Sequence, residues 1–272
     1  MGQEIMDLTI EQGLAEKLLE LIKLRPFYLL QIPELRCLIA RMRISEEVRI
    51  EAPGEAVHDH TITHNINYLM QSDALWRPDL IFNPLCSIEY VRLNVARLKL
   101  LIIGPRSEAE VFSAYAHGFH PDNVKAIDLI SYSDLIDLGD MHALPYEDGT
   151  FDIVVAGWVL AYSNDNQLAA KEILRVSKPG AHIAVGCVAE PLPKKNEHIW
   201  SAIGGVHVTS PDPERPGKDK TVSRFYLMSQ LVNLFKDAID WVIFSESPHP
   251  DLSDRRTNLI LIFRRRLYAP DC

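Results

Sequence analysis

Four short stretches of this chain carry residues whose types and spacing suit the binding of a polar organic ligand. Gly104-Pro105-Arg106-Ser107-Glu108 joins a turn glycine to a guanidinium and a carboxylate. Asp128 closes Lys125-Ala126-Ile127, and an ionised carboxylate there offers about four lone-pair sites, enough to accept both hydroxyls of a ribose. Gly139-Asp140-Met141-His142 sets a second acid beside a thioether and an imidazole. Gly157-Trp158 follows the apolar run 151–156. Arg106 reads equally well as an exposed loop residue or a ligand contact, and Trp158 as a ring packed on the sheet.

Two other histidine-bearing regions invite chemistry and carry less. His58, His60 and His64 include a His-x-His pair, but no acid or cysteine at a recognised spacing completes a ligand set, so no metal is expected. His207, beside Gly204-Gly205-Val206, is a candidate base without a named partner. The chain has no GxSxG elbow, no Walker loop and no GxGxxG after its first strand, which argues against hydrolase, P-loop and ordinary dehydrogenase chemistry.

The elements that must position the four stretches follow from the hydrophobic pattern. From residue 98 onward strands and helices alternate, as in a parallel sheet covered on both faces. Strands are expected at 98–103, 124–129, 151–156 and 181–187, with a closing antiparallel hairpin at 239–244 and 258–264. Helices are expected at 108–117, 168–176 and 225–235, and the Pro-, Gly- and charge-rich stretch 190–222 reads as a long loop or lid. Open sheets of this kind bind ligands at the carboxyl ends of their strands, where all four stretches fall. Eleven residues, 129–139, separate Asp128 from Asp140, and a crossover with its helix needs a dozen or more. That helix is therefore expected to be missing, with both carboxylates facing one cleft shared with Gly104 and Gly157.

The first 97 residues read as mainly helical. Leu14, Leu18, Leu21 and Ile22 recur at helical spacing, a helix over 33–43 opens on a proline, and another over 83–97 opens at Asn83-Pro84. The short alternating piece 48–50 ends at Pro53-Gly54. This region is expected to be a lid over a pocket or an association surface, which leaves a homo-oligomer open.

The passage GDMHALPYEDGTFDIVVAGWVLAYSNDNQLAAKEILRVSKPGAHIAVG resembles the class I S-adenosylmethionine-dependent methyltransferases of the small-molecule branch. The likeness runs well over 98–188 and loosely over 225–266. It implies an α/β, Rossmann-like sheet of seven strands, mostly parallel with an antiparallel closing strand, and S-adenosylmethionine as cofactor. By that resemblance Asp128 holds the ribose hydroxyls and Asp140 the adenine amino group. Met141 and His142 flank the adenine, while Gly157 and Trp158 line the side nearest the transferred methyl. The glycine loop is degenerate: Ile102 stands in the place of the family's acid, Gly104 is kept, and Arg106 and Glu108 replace two glycines. Arg106 can pair with the cofactor's carboxylate or obstruct the pocket. The resemblance implies methyl transfer to a small-molecule, glycan or lipid-linked acceptor, by an in-line displacement that needs positioning more than acid–base help. No catalytic residue is assigned. The altered loop supports an alternative, a non-catalytic binding or regulatory module.

Composition narrows the partners. A formal charge of −9 argues against general nucleic-acid binding. Cys37, Cys86, Cys187 and Cys272 form no CxxC pair, which fits reduced thiols in the cytoplasm. No apolar run approaches the roughly 20 residues needed to span a bilayer, and no signal peptide is visible.

Overall fold

The computed structural model describes residues 17, 20, 23–44, 47–52, 54–55, 57–58, 60–68, 77–191, 203–213, 217–246 and 256–267. Prolines set where the first helices begin. A 3-10 turn over Pro26–Gln31 leads into α1 (Pro33–Met42), whose proline sits in the first turn, where its missing N–H costs nothing. The short strand β1 (Arg49–Ile50) and helix α2 (Thr61–Tyr68) follow. The single helix expected over 83–97 is instead two, α3 (Arg77–Ser87) and α4 (Glu89–Asn94). Pro84 lies inside α3 rather than at its start, and removes one helical donor. Ser87 Oγ then donates to the Asn83 carbonyl (2.8 Å), and Ile88 turns extended (φ −66°, ψ 123°), ending the helix. The helical run at Leu14, Leu18, Leu21 and Ile22 lies outside the described residues.

The remaining elements follow in the order β2 (Leu100–Ile103), α5 (Glu108–Ala116), β3 (Val124–Asp128), β4 (Ile130–Ser131), β5 (Asp137–Leu138), β6 (Phe151–Gly157), α6 (Asn166–Val176) and β7 (Ser177–Ala189), with β4 and β5 beyond the strands expected. They continue with β8 (Val206–Pro211), β9 (Asp219–Arg224), α7 (Met228–Phe235), β10 (Ile239–Glu246) and β11 (Thr257–Arg265). Seven strands form one sheet in the order β10-β11-β7-β6-β2-β3-β5. The five strands from β7 to β5 run parallel, and β11 pairs antiparallel with both β7 and β10. The order reverses between β2 and β6, which opens a crevice at their carboxyl ends.

Two departures from the usual sheet shape that crevice. Between Asp128 and Asp140 the chain makes β4 and β5, two residues each, and no helix. β5 still pairs parallel to β3, with Ile127 opposite Asp137 and Asp128 opposite Leu138. β1 pairs antiparallel with β4 (Arg49 opposite Ser131), so the N-terminal region covers the edge that the missing helix leaves bare. The expected loop over 190–222 also needs correction, because it holds the hairpin β8–β9. Alternating Val206-His207-Val208-Thr209 against Thr221-Val222-Ser223 has the two-residue period of a strand pair.

Helices α3 and α5 bury Ile81, Phe82, Val111 and Phe112 against one face of the sheet. On the other face α6 and α7 bury Ile173, Leu231 and Phe235 against Ile103, Val154 and Phe263. Two ion pairs join the N-terminal helices to this core. Arg36, 1% exposed, donates to both oxygens of Asp79 (2.8 Å each) and to the Leu30 carbonyl (2.6 Å). Ser113 of α5 donates to Asp79 in turn (2.9 Å). Arg43 forks onto the fully buried Glu108 at 2.6 and 3.1 Å. Removing one partner of a buried pair strands the other charge, so Arg36→Met is expected to cost about 3–5 kcal/mol in urea unfolding. A loss below about 1 kcal/mol, the size of a surface pair, would show that this pair does not anchor α1.

Candidate binding cleft

The carboxyl ends of β2, β3 and β6 open into a cleft of about 1030 Å³, part of it continuous with solvent. Gly104, Arg106, Asp128, Asp140, Met141, Gly157 and Trp158 all line it. His142 does not; its ring lies behind Asp140 and is 6% exposed. Cys37, Val57, Thr61, Asn65, Arg77 and Pro78 of the N-terminal region form the opposing wall.

The two acids sit in different environments. Asp128 is buried; its Oδ1 accepts from Asn65 Nδ2 (3.3 Å) and from the Ile130 N–H (3.2 Å). Burial pushes its carboxyl up to about 7, and the nearby Glu110 adds to the rise against the pull of those hydrogen bonds. Asp140 is half-buried, which works against its charge. The ring and backbone N–H of His142 (2.6 and 2.9 Å to Oδ1) and the Gly54 N–H (3.3 Å to Oδ2) outweigh that and hold it below its ordinary value.

Behind Asp140, His142 Nε2 meets Ser163 Oγ at 2.7 Å. The order acid, imidazole, hydroxyl is that of a hydrolytic triad, but Ser163 is fully buried and its Oγ also accepts the Asp165 N–H (3.0 Å). The chain is therefore a support. It extends to the hairpin, since Ser223 Oγ donates to the Ser163 carbonyl (2.6 Å).

The altered loop is built for packing and charge. Gly104 has φ +72°, and a Cβ there would lie 2.6 Å from Val159 Cγ2. Glu108 turns to Arg43 and stays out of the cleft. Ser107 caps α5 by accepting the Ala109 N–H (3.3 Å), and Glu110 Oε1 accepts the Arg106 N–H (3.1 Å) from the cleft wall. Across from it, the Arg77 guanidinium lies over the Trp158 ring at 5.2 Å. Trp158 itself is left-handed (φ +58°), a conformation rare for a bulky residue. Its N–H bonds the Gly186 carbonyl (2.7 Å) and its indole N–H bonds Asn258 (3.0 Å), which hold it there.

Asn65, Arg77 and Glu110 escaped the sequence reading. Glu110 carried a signal in the Ser107-x-x-Glu110 spacing of a capping box. Asn65 and Arg77 carried none, because they reach the cleft from a separate part of the chain. The histidines do cluster: His58 lies 6.0 Å from His60 and 5.7 Å from His207 by ring centroids, and His64 packs on Tyr162 at 5.2 Å. Among the described residues no group of three or more His, Cys, Asp and Glu is arranged to hold a metal ion.

A family model described as a methyltransferase domain matches residues 114–185. An uncharacterized methyltransferase of Schizosaccharomyces pombe is 30% identical over 145 residues, 49% of this chain and 50% of that protein. A norajmaline N-methyltransferase of Rauvolfia serpentina is 41% identical over 49 residues, 18% of this chain and 17% of that protein. The chain thus spans half or less of the length of these curated relatives. Among solved structures, a Burkholderia thailandensis 1,6-didemethyltoxoflavin-N1-methyltransferase with bound 1,6-didemethyltoxoflavin and S-adenosylhomocysteine matches with TM-score 0.51 at 13% identity, over 82% of this chain and 97% of that one. The cyclase SpnF matches with TM-score 0.51 at 14% identity, over 81% of this chain and 100% of that one. At such identities the likeness shows the fold alone.

The raised Asp128 has a consequence for the ligand-free protein. Folded, it keeps its proton to about pH 7; unfolded, it releases it near its ordinary 3.8, so its contribution to stability falls as pH rises through that window. Asp128→Asn is expected to stabilise the ligand-free protein by about 1–3 kcal/mol at pH 8, a gain that shrinks toward pH 5. Urea titrations at both pH values check this, and a pH-independent gain would refute the assignment.

Proposed function

We propose that the chain is a class I S-adenosylmethionine-dependent methyltransferase whose cleft holds S-adenosylmethionine for methyl transfer to a small-molecule, glycan or lipid-linked acceptor, a reading supported by its sheet order and by the domain match over residues 114–185. The observation that carries this reading is the convergence of Gly104, Asp128, Asp140 and Gly157 on one cleft at the point where the strand order reverses. They converge there although the helix that normally separates the two acids is absent.

Under this reading Asp128 takes the ribose hydroxyls, whose hydrogen bonds favour its charged form and offset the effect of burial. Asp140 faces the adenine amino group, Met141 packs on the ring, and His142 orients Asp140 from behind. Gly157 and Trp158 line the methyl side, and Arg106 pairs with the carboxylate. When bound, the cofactor supplies an electrophilic methyl group on a sulfonium. The protein's part is to exclude water and hold the acceptor atom within roughly 3–3.5 Å of that methyl. The N-terminal wall of the cleft suits that task, which makes this region a lid. The substitutions at Ile102, Arg106 and Glu108 support the alternative of a binding module without turnover. Binding of S-adenosylhomocysteine without transfer to any acceptor would select it.

Asp128→Ala is expected to weaken S-adenosylhomocysteine binding by about 1.5–3 kcal/mol in calorimetry, the range for hydrogen bonds to a charged group. Unchanged affinity with an intact circular dichroism spectrum would remove Asp128 from the site. Arg106→Ala is expected to lose affinity for S-adenosylhomocysteine and keep that for 5′-methylthioadenosine, which lacks the carboxylate. A gain in affinity would show that Arg106 obstructs the cleft instead.

A further inference from the structure

We infer that Glu110 is the carboxylate that receives the ammonium group of the cofactor's amino-acid end, standing in for the acid and glycines that the loop lacks. The inference rests on the cofactor reading above and goes beyond it, since Glu110 belongs neither to the loop nor to a strand end.

Position comes first. Glu110 lies in the first turn of α5 and lines the cleft beside Arg106 and Ser107, at the loop where the amino-acid end must lie if Asp128 holds the ribose. Arg77, from α3, lines the same cleft. An amino-acid end carries one charge of each sign, and this corner offers two guanidiniums and one carboxyl. Ordinarily the loop backbone meets that end of the ligand. Here the backbone is encumbered, since Arg106 donates its N–H to Glu110 and Gly104 donates to the Ile127 carbonyl (2.8 Å).

Capacity comes second. The Arg106 N–H occupies one of about four acceptor sites on the carboxylate, which leaves room for an ammonium. Burial pushes the Glu110 carboxyl up to about 7, with Arg106 and Arg77 pulling it back. The other groups that sense it are Cys37 on α1, Asp128 on β3 and Tyr132. An arriving ammonium favours the ionised form, so its binding expels a proton.

The plain competing role is capping. Ser107-x-x-Glu110 has capping-box spacing, a role that glutamate and glutamine fill equally. Glu110→Gln therefore keeps the acceptor for the Arg106 N–H and removes the charge. The test titrates the full-length chain and this variant with S-adenosylhomocysteine and with 5′-methylthioadenosine, which has no amino-acid end. Calorimetry near pH 7 in two buffers of different ionisation enthalpy counts the protons released.

The wild-type chain is expected to release more protons with S-adenosylhomocysteine than with 5′-methylthioadenosine. The variant is expected to lose about tenfold or more in affinity for the former, to keep the latter within about twofold, and to release equal numbers with both. Wild-type affinity and proton release in the variant would overturn the inference and leave Glu110 a cap. An equal loss for both ligands would overturn it too, as the mark of a structural role. Binding of 5′-methylthioadenosine but not S-adenosylhomocysteine by the wild-type chain refutes the amino-acid subsite alone. Binding of neither refutes the cofactor reading itself, and this inference with it.

Discussion

Eleven residues join the two acids of the cleft, and much of the architecture follows from that short span. A segment of this length can turn and return but has no room for a crossover helix. The sheet edge beyond β3 is left with a two-residue strand and bare backbone groups, which need partners. The N-terminal region supplies them. β1 pairs with β4, the Glu51 N–H donates to the Leu129 carbonyl (2.8 Å), Asn65 reaches Asp128, and the Gly54 N–H reaches Asp140. A deletion in the sheet and an addition before it are thus structurally coupled.

That coupling changes the electrostatics of the cleft. A wall drawn from the N-terminal helices buries Asp128 and partly shields Glu110, and both carboxyls rise to about 7. Arg77 enters from the same wall; burial lowers its pKa first, and Arg106 beside it lowers it further. Much of the charge around this corner sits on side chains rather than on loop backbone. Side-chain charges can titrate and can be substituted one at a time, so the charge of this corner depends on pH.

The fold by itself leaves the chemistry open, since a cyclase and a methyltransferase match it equally well. What favours methyl transfer is the joint placement of acids, glycines and Trp158 around one cleft, together with the domain match over residues 114–185. Trp158 is left-handed, and its backbone is held by Gly186 and its indole by Asn258, so the ring is fixed on the cleft wall.

The sequence by itself determined the sheet, because β2, β3, β6, β7 and β11 carry apolar runs, and local pattern suffices for buried strands. It also determined the missing helix, which is a matter of counting residues, and seven of the eight residues it singled out line one cleft. Boundaries near Pro84 and the hairpin β8–β9 eluded it. A proline permits either the start or the interior of a helix, and strand pairs hide among turn formers. Tertiary structure alone decided where Glu108 and Glu110 point. They stand two residues apart on one helix; Glu108 turns to Arg43, 65 residues earlier in the chain, while Glu110 lines the cleft. It alone brought Asn65 onto Asp128 and Arg77 over Trp158, because such contacts depend on which distant surfaces the core presses together and not on any neighbour along the chain.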